Sequence, residues 1–433
     1  MSGGLLALIF FGTFFIFLFI GVPITFSLGA GGVASLLASG MKMSLVMKSS
    51  LSVFDSFTML AIFLFTMMGV IYQKTGLASL LTDALKPGIG RRKGGLALVV
   101  TYASAIFGAL TGSANATCAT FSKLFGKEMV ENGYPKDWTA ATIAAASPLG
   151  QLIPPSVTCI VLGVSMGLSI SSLFIVDLAM GLATILGLTV VILIIARMRN
   201  YGGSDRVYTK QERRKATLKM LPLLSVPLLV IGGMYAGWFT PTEAGAIGAA
   251  FSFLLGMAYK RLSWKLFYQI VIDACKTTAI VLLLCAASYI ISDVMSMTGI
   301  TKFFTEFLVQ ISGSGAIWGM LFLFLVLLVM GCFIDLIVLC IILAPTAAAA
   351  LAPFGVNPYH IAAIFLIGNL IGIVTPPVGV ALFISSSSLK VKMEQISKQI
   401  LPFIGMYIVL TLIFIFIPES TLWLAQMLGM KLG

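Results

Sequence analysis

The stretches that decide the fold are Gly150-Gln-Leu-Ile-Pro-Pro-Ser-Val157 and Gly372-Ile-Val-Thr-Pro-Pro-Val-Gly379. They contain the only two Pro-Pro pairs in the chain, and each pair follows a glycine by four residues inside a long apolar run. Proline removes a backbone donor and glycine permits unusual dihedral angles, so both stretches are suited to interrupting a helix. An interrupted helix is tolerated at membrane depth only where it is buried in protein or lines a cavity. The two stretches therefore predict two functional helix breaks.

The composition is that of a polytopic membrane protein. Of 433 residues, 59% are hydrophobic and 10% are charged, with a mean hydropathy of +1.08. The net charge of +12 comes from basic residues in short loops between apolar runs, which favours contact with membrane lipids over nucleic acid. The six cysteines stand singly, and the one histidine, His360, has no catalytic neighbour. Without clustered acids, histidines or metal ligands, the sequence argues against an enzyme.

Apolar runs in the first half predict five membrane crossings and one re-entrant hairpin. Pro23 divides the block 5–39 into two helices, and further spans are expected at about 51–72 and 173–196. The run 94–125 is interrupted at 111–117, and each arm would be only roughly 20 Å long at helical rise, so we expect a hairpin that enters and leaves on one side. A broken helix at 138–169 follows, and the basic loops 86–93 and 197–219 are expected in the cytoplasm.

The second half repeats the first in the opposite orientation. Residues 298–308 match the amphipathic segment 75–85 at a shift of 223, and Gly150, Pro154 and Pro155 recur at a shift of 222. The loop 86–93 carries four basic residues, whereas its counterpart 310–316 carries none, so the two loops face opposite sides. The second hairpin is expected at 317–352 and the second broken helix at 361–388. The predicted fold is an all-α polytopic membrane protein with two inverted repeats, each of about five spans plus one re-entrant hairpin, a pattern typical of secondary transporters.

We expect each hairpin tip to meet one helix break and to form a cation site there. Unwound backbone frees carbonyl oxygens, and hard cations such as Na⁺ prefer oxygen ligands. The alternative for the tip Ser and Thr residues is hydrogen bonding to their own helix. The acid at the second tip is a functional candidate because its surroundings are apolar. The predicted Na⁺ ligands are Ser113, Asn115, Gly150 and Pro154 at the first site and Gly331, Cys332, Asp335, Gly372, Thr375 and Pro376 at the second.

An organic substrate would lie between the two cation sites. Polar side chains near the tips and breaks are its expected contacts: Asn115, Gln151, Ser156, Asn369 and Thr375. Two other acids, Asp177 and Glu243, are expected at the membrane interfaces, with no part in the site.

The chain resembles the large membrane subunit of tripartite ATP-independent periplasmic (TRAP) transporters over essentially its whole length. The resemblance rests on Gly112-Ser-Ala-Asn-Ala-Thr117, the two Pro-Pro breaks, and Gly21-Val-Pro-Ile-Thr-Phe-Ser-Leu-Gly29. It implies import of a small organic acid, such as a C4-dicarboxylate or a sialic acid, across the bacterial inner membrane, with Na⁺ as the co-transported ion. The implied partners are a periplasmic substrate-binding protein and a small four-helix membrane subunit, expected here as a separate chain.

The resemblance also implies an elevator-type motion, in which a transport domain slides against a scaffold. The transport domain would comprise 94–171, with hairpin 1 and broken helix 1, and 317–389, with hairpin 2 and broken helix 2. The scaffold and the two connecting arm helices would occupy 1–93 and 172–316, with a last scaffold span in 390–433. The alternative is a stand-alone Na⁺/anion symporter of related fold that needs no binding protein.

Overall fold

The computed structural model describes residues 3–89, 93–202, 209–297, 299–311, 313, 315–430 and 432. Every regular element in these residues is a helix, which confirms the predicted all-α class. Arg91, Arg92, Arg206 and Thr298, which entered the loop and repeat predictions, lie outside the described residues.

The first half contains eleven α-helices among the described residues. Pro23 precedes the second helix, as predicted, and a 3-10 turn at Phe57–Met59 leads into the fourth. The helices are α1 (Gly3–Phe19), α2 (Ile24–Ala38), α3 (Ser44–Phe54), α4 (Leu60–Lys74), α5 (Leu77–Ile89), α6 (Gly95–Thr111), α7 (Ala114–Glu131), α8 (Lys136–Ala146), α9 (Leu149–Leu152), α10 (Val157–Met166) and α11 (Ile170–Met198).

The second half has the same order of elements. Its helices are α12 (Lys210–Tyr235), α13 (Pro241–Ala258), α14 (Trp264–Met297), α15 (Ile300–Ile311), α16 (Ala316–Met330), α17 (Leu336–Ile342), α18 (Ala344–Leu351), α19 (Pro358–Gly372), α20 (Val380–Leu389), α21 (Met393–Phe416) and α22 (Glu419–Met427). The hairpin arms α6–α7 correspond to α16–α18, and the broken helix α8–α10 corresponds to α19–α20. Ala114 and Leu336, which begin the second hairpin arms, are 222 residues apart, so the repeat seen in the sequence is a repeat of structure.

The two halves run in opposite directions. Helices α3 and α4 correspond to the single long helix α14, and two polar contacts fix how they lie against it. Ser49 in the middle of α3 donates to Asp293 near the end of α14 at 2.5 Å. Lys74 at the end of α4 pairs with Asp273 near the start of α14 at 2.7 Å. Counterpart elements are therefore antiparallel, which confirms an inverted repeat.

The hairpins and broken helices pack into one body because each broken helix contacts the hairpin of the other half. Helix α10 packs against α17, and its counterpart α20 packs against α7. The Ser165 hydroxyl donates to the Cys340 carbonyl at 2.9 Å, and the Cys118 thiol donates to the Ala381 carbonyl at 3.3 Å. The long helices α11 and α21 lie against this body. The division into scaffold and transport domains at the expected boundaries stays a prediction.

Helix lengths fit a chain that enters the membrane many times. Among the described residues, five helices are long and apolar enough to cross it alone, or up to seven if each bent pair counts as one span. The bent pairs are 136–152 with 157–166, bent by 48°, and 336–342 with 344–354, bent by 44°. The first is the predicted broken helix, and the second is the returning arm of hairpin 2.

Three expectations about the fold were wrong. The predicted span 51–72 is not one helix, because α3 ends at Phe54 and the chain turns at Asp55 before α4. The basic residues Arg213 to Lys219 lie in the first turns of α12 rather than in a loop, because Thr209 and Glu212 form a capping box that starts the helix there. The cytoplasmic location of this segment stays a prediction.

Asp177 is buried inside the protein and not at a membrane interface, so that prediction was also wrong. It lies two turns into α11, with none of its surface exposed. One carboxylate oxygen accepts from the Cys159 thiol at 2.9 Å, and the other has no partner among the described residues. Glu243 does lie at a helix end, where its carboxylate accepts from the Thr240 backbone N–H at 2.8 Å.

Candidate transport site

The tip of hairpin 1 is a turn of only two residues, shorter than the predicted 111–117. Gly112 ends α6 with a left-handed φ of 58°, which favours glycine, and Ser113 then caps α7 by accepting from the Ala116 N–H at 3.3 Å. Asn115 lies in the first turn of α7 with its side chain exposed. The tip therefore presents Ser113 and Asn115 beside the N-terminus of α7, where the helix dipole favours negative charge.

The first helix break begins after the single turn α9, so Gly150 and Gln151 are helical and only 153–156 are unwound. The Pro154-Pro155 peptide bond is cis, as is the bond between Pro376 and Pro377 in the second break. Ser156 caps α10 by accepting from the Cys159 N–H at 3.5 Å. The Gln151 side-chain amide donates to the Thr158 hydroxyl at 2.9 Å and so bridges the break.

Hairpin 1 and the first break approach so closely that side chains would not fit between them. A Cβ on Gly150 would lie 2.7 Å from the Ser113 carbonyl oxygen, and one on Gly112 would lie 2.9 Å from the Pro155 carbonyl oxygen. Thr117 is also at this contact and donates its hydroxyl to the Ser113 carbonyl at 2.8 Å. The glycines therefore allow the backbone of the tip to approach the backbone of the break closely.

At the tip of hairpin 2, the carboxylate of Asp335 takes the capping position that the Ser113 hydroxyl has in hairpin 1. Asp335 caps α17 by accepting from the Ile337 N–H at 2.9 Å, and it stands 222 residues after Ser113, which has the same role in α7. A Cβ on Gly372 would lie 2.6 Å from the Gly331 Cα and 2.7 Å from its carbonyl oxygen. The thiol of Cys332 donates to the Leu328 carbonyl at 3.3 Å. The second tip and the second break are thus also in backbone contact.

Asn369 lies at the second contact with its hydrogen-bonding capacity unused. Its side chain is completely buried, and neither amide atom has a hydrogen-bond partner among the described residues. A Cβ on Gly331 would lie 2.9 Å from the Asn369 carbonyl oxygen and 3.2 Å from its side-chain nitrogen. An unpaired buried amide costs free energy, so a ligand that uses it is the physical expectation. Thr375 lies in the second helix break, and its hydroxyl donates to the Ile371 carbonyl at 2.6 Å.

One cavity of about 230 Å³ brings part of the predicted site together. Ser113, Asn115, Gln151 and Asp335 all line it, so it joins both hairpin tips and the first break. The other predicted residues do not line it. They lie at the two buried contacts (Gly150, Gly331, Cys332, Asn369 and Gly372) or within the breaks (Pro154, Ser156, Thr375 and Pro376).

The opposite wall of the cavity comes from α4 and α14, and sequence reasoning missed it. Thr66 and Gln73 of α4 and Thr277 of α14 line the cavity. The Gln73 side-chain amide also donates to the Thr120 hydroxyl of hairpin 1 at 3.1 Å. A Cβ on Gly69 would lie 2.8 Å from the Thr111 Cα, so α4 lies directly on the tip of hairpin 1. Isolated polar residues in otherwise apolar helices were the available signal.

The chemistry of the cavity suits a polar anion together with a cation. Asn115 and Gln151 offer amide donors, and the N-termini of α7 and α10 lie nearby. Among the described residues that line the cavity, Asp335 is the one with a carboxylate. No group of three or more His, Cys, Asp or Glu that could hold a metal ion occurs in the part of the chain that the structure describes. Any cation would therefore be bound largely by hydroxyl, amide and carbonyl oxygens.

Comparison with known families gives one match over almost the whole chain. The model of the tripartite ATP-independent periplasmic transporter, DctM component, matches residues 11–420. The isethionate TRAP transporter permease protein DctMQ of Oleidesulfovibrio alaskensis is 33% identical over 96% of this chain, and the match spans 66% of that protein, so this chain covers just under two thirds of its length.

Two relatives from Vibrio cholerae match over nearly their full length. The C4-dicarboxylate TRAP transporter large permease protein DctM is 30% identical, covering 94% of this chain and 95% of that protein. The sialic acid TRAP transporter large permease protein SiaM is 29% identical, covering 95% and 96%. Among solved structures, the YdaH transporter of Alcanivorax borkumensis has a similar fold, with a TM-score of 0.65 over 89% of each chain at 13% identity.

Proposed function

The chain belongs to the DctM component family of tripartite ATP-independent periplasmic transporters, and we propose that it imports a small organic acid by co-transport with Na⁺. The relatives' names support a carboxylic or sulfonic acid of the C4-dicarboxylate, sialic acid or isethionate type. The observation that carries the proposal is the cavity in which Ser113, Asn115, Gln151 and Asp335 meet.

The charges in this cavity support coupling to a cation. The amides of Asn115 and Gln151 and the nearby helix N-termini favour an anion, but Asp335 lines the same cavity and repels one. A cation bound with the acid removes this repulsion. In the proposal, Na⁺ binds where each hairpin tip meets its helix break. Its ligands come from Ser113, Asn115, Gly150 and Pro154, and from Gly331, Cys332, Asp335, Gly372, Thr375 and Pro376.

The acid would bind between these two cation sites. Asn115 and Gln151 line the cavity, whereas Ser156, Asn369 and Thr375 do not line it and would act through the breaks. The unpaired amide of Asn369 supports a role in the second cation site as well.

The transport movement is proposed to be that of an elevator. The hairpins and broken helices exchange packing partners and would move as one block. The cavity lies between this block and helices α4 and α14, where a sliding interface would be. The amphipathic helices α5 and α15 would connect the moving and fixed parts.

The proposed assembly contains two further proteins in the bacterial inner membrane system. A periplasmic substrate-binding protein would deliver the acid, and a small four-helix membrane subunit would complete the scaffold. Both follow from the family and from the relatives' names rather than from any contact within this chain.

The direct test is uptake of a panel of labelled organic acids by proteoliposomes that hold this chain and its small subunit, with and without the binding protein. We expect uptake of at least one acid, dependent on the binding protein. Equal uptake without the binding protein would instead favour a stand-alone Na⁺/anion symporter. If the reconstituted assembly takes up no acid, although the binding protein binds one, the proposed function is wrong.

A further inference from the structure

A second cavity shares no lining residue with the transport site and lies where three segments of the chain meet. It has a volume of about 550 Å³ and is enclosed by helix α5, the first turns of α12 and the turn between α13 and α14. We call it the basic groove, and its lining is Leu80, Asp83, Ala84, Pro87, Glu212, Lys215, Ala216, Lys219, Tyr259 and Arg261. The charge pattern of the sequence assigns all three segments to the cytoplasmic side.

Three cationic side chains and two carboxylates line the basic groove, so its net charge is positive. Lys215 and Lys219 are exposed, stand one helical turn apart on one face of α12, and have no carboxylate partner among the described residues. Asp83 is already paired with Lys86 at 3.1 Å. Two like charges at this spacing repel each other, so a bound anion would stabilise the pair.

The remaining charged residues of the groove are held in place by the fold. The Glu212 carboxylate accepts from the Thr209 backbone N–H at 2.7 Å in the capping box of α12. The Arg261 guanidinium donates to the Gly76 carbonyl at 3.0 Å, which positions it beside the turn that precedes α5. The same nitrogen also donates to the Thr75 carbonyl at 3.4 Å, and the other guanidinium N–H groups, which have no hydrogen-bond partner among the described residues, are available to an anion.

The wall of the groove that α5 forms is largely apolar. Leu80, Ala84 and Pro87 follow one side of α5 together with Asp83, whose charge is paired with Lys86, and Tyr259 adds an aromatic ring to the lining. A cationic rim beside an apolar wall fits a molecule with an anionic head and a hydrocarbon body. A free inorganic anion would use the rim but gain nothing from the wall.

We propose that the basic groove binds an anionic phospholipid of the cytoplasmic leaflet. Lys215, Lys219 and Arg261 contact its phosphate, and the apolar wall of α5 contacts the glycerol and first acyl carbons. The lipid bridges α5 and α12, two helices that pack against each other, so it stabilises α5 in the position described here.

The test is native mass spectrometry of the full chain released from nanodiscs of mixed phosphatidylglycerol and phosphatidylcholine. The variant Lys215→Gln/Lys219→Gln removes both unpaired ammonium groups. The matched control Lys210→Gln/Arg213→Gln removes the same charge from the opposite face of α12, outside the groove. All four positions are exposed, so both variants should fold, which a thermal unfolding curve checks.

We expect the wild type and the control to retain phosphatidylglycerol in preference to phosphatidylcholine. Since each lysine near an anionic headgroup is worth about fivefold in affinity, the Lys215/Lys219 variant should bind roughly 25-fold more weakly. Equal binding by this variant, or an equal loss in the control, would overturn the proposal. So would displacement of the lipid by millimolar inorganic phosphate, because that would show a phosphate site that does not recognise the lipid body.

Discussion

Gly372→Ala tests whether contact between a hairpin tip and a helix break forms the second cation site. The added Cβ would lie 2.6 Å from the Gly331 Cα, whereas carbon atoms pack at about 3.5–4.0 Å, so the two segments must separate by about 1 Å. The obstacle is backbone on the facing side and cannot rotate away. Overpacking of this kind costs about 1–3 kcal/mol.

The same separation should weaken Na⁺ binding, because the ion needs oxygens from both segments. If bringing them back together costs about 1–3 kcal/mol, the half-maximal Na⁺ concentration rises roughly 5- to 150-fold. The assay is thermal unfolding of the purified chain at increasing NaCl, with choline chloride holding the ionic strength constant. It requires neither the binding protein nor knowledge of the transported acid.

The matched control is Gly405→Ala in α21, where a Cβ would meet nothing within 4 Å. Alanine is the better helix former by about 1 kcal/mol, so this variant should be at least as stable as the wild type and should respond normally to Na⁺. If folded Gly372→Ala shows the Na⁺ dependence of Gly405→Ala, the second site does not depend on this contact and the reasoning is refuted.

Three further predictions concern side chains. Ser113→Ala and Asp335→Ala should each weaken Na⁺-driven uptake without preventing membrane insertion, and wild-type uptake by either variant at low Na⁺ would contradict the assigned ligands. Asn369→Leu should leave thermal stability unchanged or raise it, because the buried amide has no partner to lose among the described residues, yet it should reduce stabilisation by Na⁺. A loss of stability in the absence of Na⁺ would show a structural amide instead. Thr240→Ala should cost about 1 kcal/mol in thermal unfolding because it removes the capping box of α13, whereas Thr217→Ala, whose hydroxyl only bonds back to its own helix, should cost less.

The sequence predicted the main architecture because its signals are covalent or compositional. Proline and glycine limit where a helix can continue, so Pro23 and the two Pro-Pro pairs located a turn and two breaks correctly. The shift of 222 between the two helix breaks predicted the repeat, and in the structure the same shift relates Ser113 to Asp335, each of which caps the returning arm of a hairpin. The charges of the loops predicted that the second half is inverted relative to the first. The antiparallel contacts of α14 with α3 and α4 confirm this inversion.

The sequence did not predict details that depend on which face of a helix contacts other helices and which contacts lipid. An apolar helix has a similar composition whether it touches lipid or another helix, so hydropathy could not show that Asp177 faces Cys159. For the same reason, Thr66, Gln73 and Thr277 were not foreseen as one wall of the cavity. The local shape of the first tip was also missed, because a Ser cap after a left-handed glycine needs only two residues to reverse the chain.

The most direct test of the proposed mechanism is accumulation of the transported acid against its own gradient. Proteoliposomes with the full assembly would start with equal acid inside and outside and with either an inward Na⁺ gradient or an equal K⁺ gradient. The account predicts that acid inside rises above the external concentration only with Na⁺, and that Asp335→Ala reduces the rise. Equal accumulation with K⁺, or simple equilibration under both conditions, would contradict it.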